Sequence, residues 1–157
     1  MKKLRVILAD KEPLSRSLLS SSLSYWGCEV VTVHNRSEAC TSLQAGNVDV
    51  CILNWELSGL NCLEMCRWIR QADLKTQPHI IVLMEKSSRE DIRAAYLAGA
   101  NDYLTKPIRV EEVRNRISAI ASKVFQFDSV QSQLRSLDPL ECYRRDLAYQ
   151  AKSLSHL

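Results

Sequence analysis

Five short apolar runs, each closed by charged or turn-forming residues and each followed by a segment of helical spacing, constrain this chain more than any other feature of its sequence. The first run, residues 4–9 (LRVILA), stops at Asp10-Lys11-Glu12-Pro13, and Pro13 suits the first turn of a helix whose Leu14, Leu18, Leu19, Leu23 and Trp26 share one face before Gly27. Residues 29–33 form a second strand, and Ser37 is the expected cap of a helix carrying Ala39, Cys40 and Leu43 up to Gly46. A third strand, 48–53, leads through a loop at Ser58-Gly59 to a helix with Leu63, Cys66 and Ile69 on one face. A fourth, 80–84, precedes a helix over 89–98 that Gly99 ends. A short fifth, 102–105, runs into Lys106-Pro107, after which a long helix starts near Arg109.

Strands that are apolar throughout, without alternation, belong to a sheet covered on both faces, and their alternation with helices makes that sheet parallel: an α/β, doubly wound architecture. In open sheets of this kind chemistry gathers at the carboxyl ends of the strands, where the strand order reverses. The residues at those ends are Asp10, Lys11, Asn54, Met84 and Lys106. At 157 residues the chain has room for one substantial core and a short extension. Its formal charge of +3 is spread among interleaved acids and bases, a pattern that calls for no nucleic acid partner. No apolar run approaches the roughly 20 residues of a membrane span, and Arg5, Asp10 and Lys11 interrupt any signal-peptide core, so a cytoplasmic chain is expected. Of the six cysteines, Cys62 and Cys66 lie one helical turn apart, but no nearby histidine or second cysteine pair completes a metal site. They read as packing residues in a reducing compartment.

Four pieces in order, Val6-Ile7-Leu8-Ala9-Asp10, the block 48–54 (VDVCILN), Ser58-Gly59-Leu60 and the block 98–107 (AGANDYLTKP), make residues 4–120 resemble the CheY-like response-regulator receiver family. The resemblance implies a flavodoxin-like five-stranded parallel sheet of order 2-1-3-4-5 and a place in two-component or phosphorelay signalling. It also implies an aspartate at the end of the third strand that accepts phosphate, Mg²⁺ held by it and by an acidic pair after the first strand, a hydroxyl residue ending the fourth strand and a lysine ending the fifth. Here Asp10 matches the first acid and Lys106 the lysine, whereas Lys11 replaces the second acid, Asn54 the phosphoacceptor and Met84 the hydroxyl residue.

Each departure has a chemical consequence. A carboxamide oxygen is a poor nucleophile and cannot form an acyl phosphate. Mg²⁺ prefers anionic oxygens, and counting Asp10 against Lys11 and Lys106 leaves the pocket with a surplus of one positive charge. Each cation-cation contact near 4 Å costs about 4 kcal/mol at an effective dielectric of about 20, so Mg²⁺ binding is expected to be weak or absent and no cofactor is expected. Glu12 would recover one ligand by turning inward, but a residue before proline is restricted and is expected to stay solvated. Glu56 and Glu85 lie one or two positions off the strand ends and read as surface residues. Lys11 has two readings of equal standing, an ammonium paired with Asp10 in the place of the metal, or a side chain extended into solvent. Lys106 is expected in the pocket, bonded to the side-chain carbonyl of Asn54. Met84 offers no strong donor, which uncouples Tyr103, the matching switch aromatic and part of an interaction face. Trp55 either covers the pocket or meets a partner, or is an ordinary partly buried aromatic.

The last helix does not stop where an isolated receiver would. Val113, Ile117, Ile120, Val124, Phe127, Gln131 and Leu134 alternate at intervals of four and three, a coiled-coil seam with Gln131 as its single polar a-type residue. The expected organisation is a receiver over 1–122 and a helical extension over 123–157, broken at Asp138-Pro139. A helix that instead folds back onto the domain is the other reading. The expectation for function is a pseudoreceiver: a non-enzymatic module that works without phosphorylation, binds signalling proteins through the fourth-helix, fifth-strand and fifth-helix face, and forms a homodimer. A receiver that senses a ligand or ion, and the regulatory N-terminal piece of a longer output protein such as a diguanylate cyclase, stand as alternatives.

Overall fold

A computed structural model describes residues 3–57, 60–85 and 88–135, with side chains taken from all of these except 57, 60 and 127–135. In chain order the elements are β1 (Arg5–Ala9), α1 (Pro13–Tyr25), β2 (Glu29–Thr32), α2 (Arg36–Gln44), β3 (Val50–Asn54), β4 (Glu56–Leu57), β5 (Leu60–Asn61), α3 (Cys62–Gln71), β6 (His79–Met84), α4 (Arg89–Ala98), β7 (Asp102–Thr105) and α5 (Val110–Arg135). The main sheet runs β2-β1-β3-β6-β7, all parallel, which is the expected order 2-1-3-4-5 when its five strands are counted in turn. Every residue of β3 and all but the first of β1 and β6 are buried, because helices cover both faces; that is why these strands carry no polar alternation.

Local chemistry sets the helix starts. Pro13 opens α1, and Glu12 stands at the cap position without using its side chain as a cap, which leaves that carboxylate free for the site. The cap of α2 is Asn35, whose side chain accepts the Glu38 N–H at 2.8 Å, and not the expected Ser37; the asparagine oxygen reaches the N3 amide only from the position before the helix. Asn61 and Ser88 cap α3 and α4 in the same way. The expected loop after β3 contains an antiparallel pair, β4 with β5, that two-residue strands are too short to announce in sequence; its tip at 58–59 lies outside the described residues.

One side of the core joins Ile7, Cys51, Leu53, Cys66, Ile69, Ile80 and Val82. Cys28, Cys51, Cys62 and Cys66 are buried free thiols; burial pushes Cys51 up, and the hydrogen bond that the Cys62 thiol donates to Cys66, then burial, does so for Cys62. Among the described residues no group of three or more His, Cys, Asp or Glu side chains is placed to hold a metal ion, and no helix is long and apolar enough to cross a membrane.

One compact unit ends at Ser118 and another begins at Ala119, four residues before the expected boundary, while α5 continues as helix to Arg135. Ile117 and Ile120 are buried and Val124 is half-buried. The side chains of Phe127, Gln131 and Leu134, and the whole of 136–157, lie outside the described residues.

Candidate functional site

The strand order reverses between β1 and β3, and the site lies at the carboxyl ends of that pair. Asp10 follows β1 and Asn54 ends β3; both are buried, at 1% and 4% exposure. The β1–β3 register sets Ala9 opposite Leu53, which puts the two next residues side by side. Asn54 Nδ2 donates to Asp10 Oδ1 at 2.9 Å, and its carbonyl oxygen accepts the Glu56 N–H at 3.3 Å. The amide orientation is thereby fixed, since a carboxylate can only accept.

Lys106 arrives from the end of β7, where its N–H donates to the Met84 carbonyl at 2.7 Å. Its ammonium lies 2.8 Å from Glu12 Oε2, 3.3 Å from Asp10 Oδ1 and 3.2 Å from Ser15 Oγ, and the Lys106 side chain is only 8% exposed. Burial alone would depress the ammonium, but the Glu12 hydrogen bond, the Asp10 charge and hydrogen bond, and the Glu12 charge together hold its pKa above the ordinary lysine value. Ser15 Oγ also donates to Asp10 Oδ2, and the Glu12 N–H donates to Asp10 Oδ1 at 3.1 Å.

This arrangement bears on three readings of the sequence. Lys106 bonds Asp10, Glu12 and Ser15 and not the Asn54 carbonyl, because two carboxylates and a hydroxyl are better acceptors for an ammonium than one amide. Glu12 keeps its side chain 46% exposed, as expected, yet its carboxylate still reaches the Lys106 ammonium at 2.8 Å; the restriction before Pro13 acts on its backbone and leaves its side chain free. Lys11 is exposed and makes no pair with Asp10, so of its two readings the solvated one holds. With Lys11 out and Glu12 in, Asp10 and Glu12 against Lys106 leave one surplus negative charge, not a positive one.

A divalent cation fits this set poorly all the same. Both Asp10 oxygens are occupied by four donors, from Asn54, Glu12, Lys106 and Ser15, and the inward Glu12 oxygen is taken by the ammonium. Asn54 adds only a neutral oxygen. The ammonium of Lys106 does here what a bound cation would otherwise do.

The remaining predicted residues lie around this cluster without joining it. Met84 is buried at 1% exposure and presents no donor. Tyr103 is half-buried on β7, its ring edge-on to Tyr96 at 6.2 Å between centroids and 84° between planes. Trp55 packs half-buried against the core, and its N–H donates to the Leu83 carbonyl at 2.7 Å. Glu56 and Glu85 are exposed. Sequence reasoning missed Ser15. The signal was present: with Pro13 in the first helical position, Ser15 is the third, and a helical side chain leans back toward the N-terminus and hence toward the end of β1.

A family model described as the response regulator receiver domain matches residues 6–118. The uncharacterized transcriptional regulatory protein YkoG of Bacillus subtilis is 35% identical over 114 residues, 73% of this chain and 49% of that protein. Response regulator MprA of Mycobacterium bovis is 31% identical over 143 residues, 87% of this chain and 60% of its own length. A response regulator from Thermotoga maritima superposes with a TM-score of 0.68 at 25% identity, covering 77% of this chain and 99% of that one. The chain thus spans about half the length of the curated relatives it matches.

Proposed function

Because the chain belongs to the response regulator receiver family, we propose that it is a receiver that signals without aspartyl phosphorylation, a pseudoreceiver whose output is the binding of other signalling proteins. Asn54 takes the position of the phosphoacceptor, and the observation that carries the reading is its hydrogen bond to Asp10 in a cluster closed by Lys106. A carboxamide cannot become an acyl phosphate, and the polar groups around it are satisfied by one another, so neither phosphate nor metal is needed to hold one state. In this reading the chain is not an enzyme and requires no Mg²⁺. Its interaction face includes Tyr103, with Tyr96 44% exposed beside it. Two copies associate through α5 beyond Val124, where the intervals of four and three continue to Leu134.

Incubation of the full chain with acetyl phosphate and Mg²⁺, followed by intact-mass measurement at neutral pH, tests the proposal. No added phosphoryl mass is expected, and stoichiometric addition on Asn54 or a neighbouring carboxylate would overturn it. Light scattering tests the association: the full chain is expected as a dimer and a version ending at Ser122 as a monomer, and equal monomeric masses refute it.

A second reading is favoured by the relatives, which are transcriptional regulatory proteins about one and a half times as long as this chain. In it the receiver is the regulatory segment of a longer protein and the extended helix transmits its state to an output segment. The length of the intact open reading frame decides between the two.

A further inference from the structure

A pocket of about 460 Å³ opens beside the site, between α1 and the turn that precedes α5, and falls within the range of small-molecule sites. Its apolar wall is formed by Leu14, Leu18, Pro107 and Ile108, and Leu14 is left 81% exposed and Leu18 42% exposed. Two carboxylates, Glu12 and Glu85, share the lining with Lys106. The Lys106 charge is already spent on Asp10 and Glu12, and Glu85 has no hydrogen-bond or ion-pair partner among the described residues. The mouth of the pocket is therefore negative in balance while its wall is apolar, and Lys11, exposed on the same loop, does not line it.

We propose that this pocket binds a small organic cation with an apolar body, of the arylalkylammonium class, its hydrocarbon covering Leu14, Leu18 and Ile108 and its ammonium facing Glu85 and Glu12. An anionic ligand of the same shape meets two carboxylates and a lysine that has no charge to spare. The proposal goes beyond the loss of phosphorylation and stands whether or not Asn54 is inert.

Amide-resolved NMR titration of the full chain with 3-phenylpropylamine tests it, with 3-phenylpropionate and 3-phenylpropanol as the anionic and neutral probes. Saturable shifts at the amides of Leu14, Leu18, Glu85 and Ile108 are expected with the amine. Affinity should fall about fivefold in Glu85→Gln, the size of one exposed ion pair, and further with the carboxylate probe. Glu85 is exposed, so this variant should fold; Leu18→Asn provides an independent loss of the apolar wall, and unchanged binding by it would overturn the proposal. Equal response to amine and carboxylate, or no saturable shift, would do the same. Movement of the same amides on raising protein concentration alone would assign the pocket to a second copy and overturn the small-ligand assignment.

Discussion

Replacing Lys106 with methionine removes the cation that, among the described residues, faces Asp10, while keeping a side chain of similar length. Asp10 is fully buried at its side chain and Lys106 is 8% exposed, at 3.3 Å separation. The gross attraction at that distance is about 5 kcal/mol at an effective dielectric of about 20, and the desolvation of both groups cancels part of it. Breaking a buried pair from one side costs about 3–5 kcal/mol when the remaining charge is uncompensated. Here Asn54, Ser15 and the Glu12 N–H still donate to Asp10, so a loss of about 2–3 kcal/mol is expected. At about 2–4 °C per kcal/mol for a domain of this size, the melting temperature should fall by roughly 5–10 °C. The assay is urea denaturation of Lys106→Met, Asp10→Asn and the double variant. Adding Asp10→Asn to Lys106→Met should recover about 1–2 kcal/mol, since it neutralises the stranded charge. Strict additivity of the two single changes would refute the reasoning. The pH dependence has a defined sign as well. The Lys106 pKa is raised on folding, so its contribution is fully present below the ordinary value of 10.5 and is lost as pH climbs through the higher folded value; the Lys106→Met penalty should shrink only in that alkaline window.

Asn54→Asp sets a second carboxylate where an amide now donates to Asp10 at 2.9 Å, and should destabilise the metal-free protein by about 1–3 kcal/mol. Added Mg²⁺ should raise the melting temperature of that variant and leave the parent unchanged; an equal rise in both would contradict the account of the site. Gly99→Ala should cost about 2–4 kcal/mol by chemical denaturation, because Gly99 has φ +119° and an added Cβ would lie 2.5 Å from Arg70 Cγ. Arg70 cannot swing aside cheaply: it donates to Gly99, Gln77, Pro78 and Asn101. Maleimide labelling with peptide mapping should find Cys51 protected in the native protein and reactive in denaturant, since burial raises its pKa and closes it to solvent; prompt native labelling of Cys51 would count against the packed β3 environment.

The elements of the main sheet were legible because a strand buried on both faces has no choice of residue type: 48–53 and 80–84 read as strands from their apolar content alone, and the structure moves their limits by one or two residues. Helix ends were legible where backbone chemistry is local, at Pro13 and at Gly99 with its positive φ. At α2 the expectation of Ser37 failed, because the cap is decided by the residue at which the chain leaves extended geometry, and that residue is Asn35.

What the sequence alone determined is the covalent character of the site, an amide at position 54, an acid at 10 and a lysine at 106, since no folding can turn a carboxamide into a carboxylate. Which charges enter that site was decided only by tertiary structure. Lys106 reaches Glu12 across 94 residues of chain, and its ammonium pairs with Glu12, whereas Lys11, next to it in sequence and exposed like it, stays outside the cluster. Neighbouring side chains on a loop have similar freedom, and the partner brought from a distant strand selects between them.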